Sequence, residues 1–135
     1  MKTSGSKLAP LFLSLFISST LISNATASDD FDRLYSQAKK EMDSELGGFY
    51  AMQLNSTITE NHARLLDECA ENSKGSNKQL FFAVLEINSN GTIKAFHLGK
   101  KTDLGTCLKS RFVGLEVPMP PYDGYLTPFN WGAMR

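Results

Sequence analysis

Two cysteines, two histidines and a scatter of carboxylates are the residues of this chain whose types could do chemistry. Cys69 and Cys107 do not form a Cys-x-x-Cys pair, which argues against a redox site. In an oxidising compartment they most simply make one disulfide, the alternative being two buried thiols. Closing that loop contributes roughly 4 kcal/mol in the chain-entropy model. His62 has Asp67 and Glu68 nearby in sequence, but not at a metal-ligand spacing on one helical face. His97 alternates with Ile93 and Ala95 on what reads as the core face of a strand. Each histidine is therefore expected to be packed or solvated rather than catalytic. Asp67, Glu68 and Glu71 read as a solvated helix face; a glycosidase pair needs carboxylates held about 5–9 Å apart, which spacing alone does not establish. No Gly-x-Ser-x-Gly and no phosphate-cradling glycine loop occurs. No catalytic residue, metal or cofactor is expected.

The segment from Pro118 to Trp131 holds a different kind of signal. Met119, Tyr122, Asp123, Tyr125, Phe129 and Trp131 cluster there among four prolines. Prolines stiffen a loop, and aromatics bury area at low entropy cost, so these residues are the candidate partner-binding set. The competing expectation is a tail that wraps the core with Phe129 and Trp131 inside, because a small domain needs its aromatics.

The ends of the chain bound its class. Lys2 and Lys7 precede an apolar run from Leu8 to Ile22, and Ala25-Thr-Ala27 has the small-x-small form of a signal-peptidase site. Residues 1–27 thus read as a secretory signal cleaved after Ala27. The alternative, an uncleaved anchor, is weakened by Pro10 and the serines, which leave little for a span of roughly 20 residues. Residues 28–135 make one domain of ordinary size. Beyond the signal, 12 basic residues face 14 acidic ones, so nothing favours nucleic acid or an anionic membrane surface. The expected location is periplasmic, with no membrane insertion after cleavage.

The elements that must position these residues follow from periodicity. A first helix is expected from about Asp30 to Leu46, with Phe31, Leu34, Tyr35, Ala38, Met42 and Leu46 on one stripe and Gly47-Gly48 as its stop. Residues 49–55 alternate weakly and allow a short strand. Thr57-Ile-Thr-Glu60 reads as a capping box that opens a second helix to about Asn72, with Ile58, His62, Leu65, Leu66 and Cys69 inward. The most apolar stretch, Leu80 to Ile87, turns at Asn90-Gly91 into Thr92 to Leu98 as a hairpin. It is apolar on both faces, so both must be covered. Thr102 or Asp103 caps a third helix carrying Leu104, Cys107, Leu108 and Phe112. Tyr125 to Trp131 is the last strand, with Pro128 marking an edge or bulge. The expectation is an α+β domain: a small antiparallel sheet with a central hairpin, packed by two to three helices and stapled once.

The stretch from Cys69 to Met134 resembles the disulfide-bearing, TonB-like C-terminal modules of bacterial envelope proteins, including gliding-motility proteins. The residues that carry the resemblance are Cys69, Leu80 to Ile87, Asn90-Gly91-Thr92-Ile93, Cys107-Leu108, Val117-Pro118-Met119-Pro120 and Pro128-Phe129. A TonB-type transducer keeps an N-terminal anchor and a long proline-rich spacer, and this chain shows neither once the signal is cut. The resemblance therefore implies a free-standing periplasmic module that binds another envelope or periplasmic protein, without enzymatic activity, through a sheet edge or the aromatic–proline loop. Two rivals fit the same features: an inhibitor or immunity protein that plugs a cell-wall hydrolase or toxin, and a small hydrolase using His62 or His97.

Overall fold

The computed structural model describes residues 27–73 and 81–131, and Gly5 in isolation. Residues 6–26, which include most of the expected signal, lie outside the described residues. So do residues 74–80. The order is α1 (Ala27–Met42), α2 (Glu45–Asn61), α3 (Ala63–Asn72), β1 (Phe81–Ile87), β2 (Ile93–Leu98), α4 (Asp103–Phe112) and β3 (Tyr125–Trp131). The three strands form one antiparallel sheet in the order β2-β1-β3. The protein is α+β with four helices and one disulfide. Among the described residues no helix is long and apolar enough to cross a membrane.

Helices cover both faces of the sheet. On one face Leu85, Ile87, Ile93, Phe96 and Phe129 pack against Tyr50, Leu54 and Ile58 of α2, Leu66 and Cys69 of α3, and Leu108 and Phe112 of α4. Phe112 is the hub, with its ring centroid 5.5 Å from Phe96 and 5.3 Å from Phe129. On the other face α1 lays Ala38, flanked by Phe31, Leu34 and Tyr35, over Val84 and Leu126. This double cover is why β1 is apolar at consecutive positions. The Cys69–Cys107 bond joins α3 to α4 across a Cα–Cα distance of 5.6 Å.

Three expectations about the helices are corrected. The first helix ends at Met42 rather than Leu46, and α2 starts before the two glycines. Ser44 makes the break: its hydroxyl donates to Glu41 O at 2.6 Å and accepts from Gly47 N–H at 3.1 Å, so it caps α2. Gly47 lies inside the helix for a steric reason. A Cβ there would stand 1.8 Å from Glu41 O and 2.7 Å from the Tyr125 hydroxyl. Residues 49–55 are helical, with no strand, since Tyr50, Leu54 and Ile58 share the buried face at helical spacing. The Thr57–Glu60 motif sits inside α2 and starts nothing; the chain breaks at His62, whose N–H still reaches Ile58 O at 3.0 Å.

The hairpin forms as expected with one difference. Gly91 N–H closes the turn onto Asn88 O at 2.9 Å, and Gly91 alone is left-handed, at φ 78°. Asn90 stays at negative φ and uses its side chain instead, accepting from Thr92 N–H at 3.2 Å. The register shifts between Glu86 and Ile87. This bulge puts Ile93 on the core face together with Phe96, and turns His97 to the opposite face beside Glu86. The placing of His97 with Ile93 on a core face is thereby corrected. Thr102 caps α4 as expected, accepting from Gly105 N–H at 3.0 Å.

Candidate functional site

The strand β3 lies at a sheet edge, where Pro128 is tolerated because its missing N–H faces away from β1. Alternate residues of such a strand turn their N–H groups to opposite sides. Leu126 directs its N–H outward, to Glu41 Oε2 at 3.3 Å. Pro128, two residues on, has none to offer. The outer edge of β3 is thus poorly equipped to accept an added strand.

The expected partner-binding residues divide. Met119 is 74% exposed and Tyr122 49%. Asp123 is exposed, but its Oδ1 accepts from Ser89 N–H at 2.8 Å and so pins this turn to the hairpin loop. Tyr125 and Phe129 are buried at 2% and 8% exposure and cannot serve as free anchors. The reason is strand parity. Tyr125 pairs with Ile87 and Phe129 with Ala83, which turns both onto the helix-covered core face. The Trp131 side chain lies outside the described residues.

The helix α2 supplies the part of the surface that sequence reasoning missed. Its buried face is Gly47, Tyr50, Leu54 and Ile58. Leu46, Phe49 and Met52 fall at i, i+3 and i+6 on the opposite side, and each is exposed by more than three-fifths. The spacing was the available signal, hidden because Tyr50, Met52 and Leu54 also recur at every second residue and Leu46 fitted the stripe of the first helix. The Tyr50 hydroxyl donates to Pro118 O at 2.8 Å and ties α2 to the start of the proline loop. Pro121 and Tyr122 then return to meet Leu46 across an open cleft of about 460 Å³, floored by Gly47 and Tyr125. The stripe thus reaches the cleft at Leu46, and the loop reaches it at Pro121 and Tyr122.

Three tyrosines line this junction in series. Ring centroids are 5.1 Å apart for Tyr50–Tyr125 and 5.2 Å for Tyr122–Tyr125, both edge-to-face. Burial, then the hydrogen bond and charge of the Glu41 carboxylate, push the Tyr122 hydroxyl up to about 12. Burial also raises Tyr50 and Tyr125. All three stay neutral phenols. Glu41 accepts from Gln37 Nε2 at 3.2 Å as well as from Leu126 N–H.

The histidines are apart from this surface and from each other. His62 Nε2 is 3.3 Å from Glu116 O. His97 Nε2 is 3.4 Å from Glu86 Oε2, and Lys94 Nζ is 3.0 Å from Glu86 Oε1. Among the described residues no cluster of three or more His, Cys, Asp or Glu could hold a metal. At Glu86, burial raises the carboxyl pKa, but the bonds from Lys94 and His97 outweigh it and hold the group below the usual carboxylate range. Glu68 is also lowered, by its bonds to Arg111 and Arg64. A depressed folded-state pKa contributes stability above the unfolded value and loses it as pH falls through the folded one. Melting temperature is therefore expected to drop on acidification through and below the normal carboxylate range. Glu86→Gln should flatten part of that acid arm, as thermal scans between pH 7 and pH 3 would show.

The chain matches no family model, no curated protein and no solved structure in the three comparisons.

Proposed function

We propose that this protein is an exported, non-enzymatic protein-binding module of the bacterial periplasm. Its docking surface is the α2 stripe with the proline–aromatic loop. The observation that carries the reading is the stripe of exposed apolar side chains Leu46, Phe49 and Met52 on α2, with Leu46 facing Pro121 and the exposed Tyr122 across the cleft. Large exposed apolar side chains grouped on one face are a mark of interaction sites. The signal-like first 27 residues, the disulfide and the resemblance to TonB-like envelope modules support the compartment. Of the two modes expected, the loop is favoured over the β3 edge, because Leu126 and Pro128 leave that edge short of donors.

The test is capture of a partner from native envelope extract by the wild-type protein and by a Phe49→Ser/Met52→Ser variant. Both residues are exposed, so the variant is expected to stay within about 1 kcal/mol of wild-type stability. Retention of one partner by wild type, reduced at least about tenfold in the variant, is the expected result. Equal retention by both would reject the surface. If the retained protein is a single cell-wall hydrolase, the inhibitor reading replaces the general-module one.

A further inference from the structure

We propose that the cleft between α1, α2 and the proline loop receives a lysine or arginine side chain of the protein partner. This rests on the docking reading above and names the chemistry at one end of the docking surface. The first observation is Tyr125. It is 2% exposed and lines the cleft, and its hydroxyl is the one buried side-chain polar atom among the described residues that has no hydrogen-bond partner. Buried polar atoms are rarely left unmet, so an unmet one in a cleft wall marks a place for an incoming group.

The second observation is Glu41. Its carboxylate accepts from Gln37, from the Leu126 N–H and from the Tyr122 hydroxyl, yet no cation among the described residues stands within ion-pair distance. A carboxylate offers about four lone-pair sites, so acceptor capacity remains. The third is the walls. Tyr122, half exposed, presents an aromatic ring, which favours a cation within about 6 Å of its face. Leu46 and Pro121 are apolar and suit the methylene stem of a long basic side chain.

The alternatives fail on charge. An anion would meet the Glu41 carboxylate. A purely apolar side chain would fill the cleft but leave the Tyr125 hydroxyl without a partner and the Glu41 charge without a counter-ion. A basic side chain satisfies all three features: the stem lies on Leu46 and Pro121, the charged head meets Glu41, and one N–H is donated to the Tyr125 oxygen. Lys40 stands exposed at the same cleft with no ion-pair partner among the described residues. Its charge opposes an incoming cation, which makes it a useful control.

The experiment is a chemical-shift titration of the protein, read at the backbone amides of Gly47, Tyr122 and Leu126. The probes are N-acetyl-lysine methylamide, its uncharged analogue N-acetyl-norleucine methylamide, and N-acetyl-glutamate methylamide. The lysine probe is expected to saturate at about 1–10 mM, a range ordinary for so few contact atoms. The other two should bind at least fivefold more weakly. Tyr125→Phe and Glu41→Gln should each weaken the lysine probe, and Lys40→Gln should tighten it about twofold. Because Glu41 also holds the Leu126 amide, Glu41→Gln could disturb the fold; Lys40→Gln touches no bonded group and keeps the test decisive. Norleucine binding as well as lysine, or Lys40→Gln weakening the lysine probe, would overturn the proposal. Partner capture by Lys40→Glu separates this proposal from the reading it rests on. The added negative charge should raise retention; unchanged or lower retention overturns the cleft assignment and leaves the docking surface standing. Failure of the wild type to retain any partner overturns the docking surface itself.

Discussion

Reducing the Cys69–Cys107 bond should lower the melting temperature by roughly 15–30 °C. The bond closes a separation of 38 residues, which in the chain-entropy model amounts to roughly 4 kcal/mol of restraint on the unfolded chain. A domain of this size commonly has only about 5–15 kcal/mol in all. The location sharpens the effect. The closed loop contains the β1–β2 hairpin, and the bond ties the two helices α3 and α4 that flank it in sequence and pack on the same face. Cys69 is fully buried, so a Cys69→Ala/Cys107→Ala variant tests the restraint without leaving polar thiols inside. Thermal unfolding with and without reductant, and of the double variant, should agree. A shift of only a few degrees in both would mean that helix packing alone holds α3 and α4.

Adjacent glycines should respond with opposite sign. Gly47→Ala drives a methyl group into Glu41 O at 1.8 Å and the Tyr125 hydroxyl at 2.7 Å. Backbone cannot yield there cheaply, because Ser44 fixes the α1–α2 elbow through its paired bonds. A loss of about 3 kcal/mol or more is expected, at the upper end for overpacking. Gly48→Ala meets only Met42 O, at 3.4 Å. There the change replaces a flexible residue inside a helix and should stabilise by about 0.5–1 kcal/mol. Denaturant midpoints of the two variants decide the matter. Loss at both sites would mean that the glycines are needed for a helix stop after all; tolerance at both would mean that the α1–α2 elbow is looser than its geometry.

That pair also explains what the sequence could and could not reveal. The hairpin, the Thr102 cap, the disulfide and Pro128 in an edge strand were legible because each depends on local chemistry or on compartment. The boundary between α1 and α2 was not. Gly-Gly after an apolar stripe ordinarily ends a helix, and only the three-dimensional closeness of Glu41 and Tyr125 shows Gly47 to be a spacer. Misplacing that boundary turned residues 49–55 into a doubtful strand, and so concealed the Leu46–Phe49–Met52 stripe. His97 was misplaced for a related reason. A single bulge at the Glu86–Ile87 position inverts side-chain parity along β2, and nothing in the composition announces it. Within the aromatic segment, the type of residue was a fair guide to interest but not to direction: Met119 and Tyr122 face solvent, while Tyr125 and Phe129 complete the core of a small domain.

The docking surface is tested most directly by site-specific photo-crosslinking in the native envelope. A photoreactive amino acid would replace Phe49 on the stripe, Met119 in the loop and, as a control, Lys94, which bonds to Glu86 on β1. One discrete cross-linked protein is expected from positions 49 and 119 and none from position 94. The same adduct from all three positions, or an adduct from position 94 alone, would contradict it.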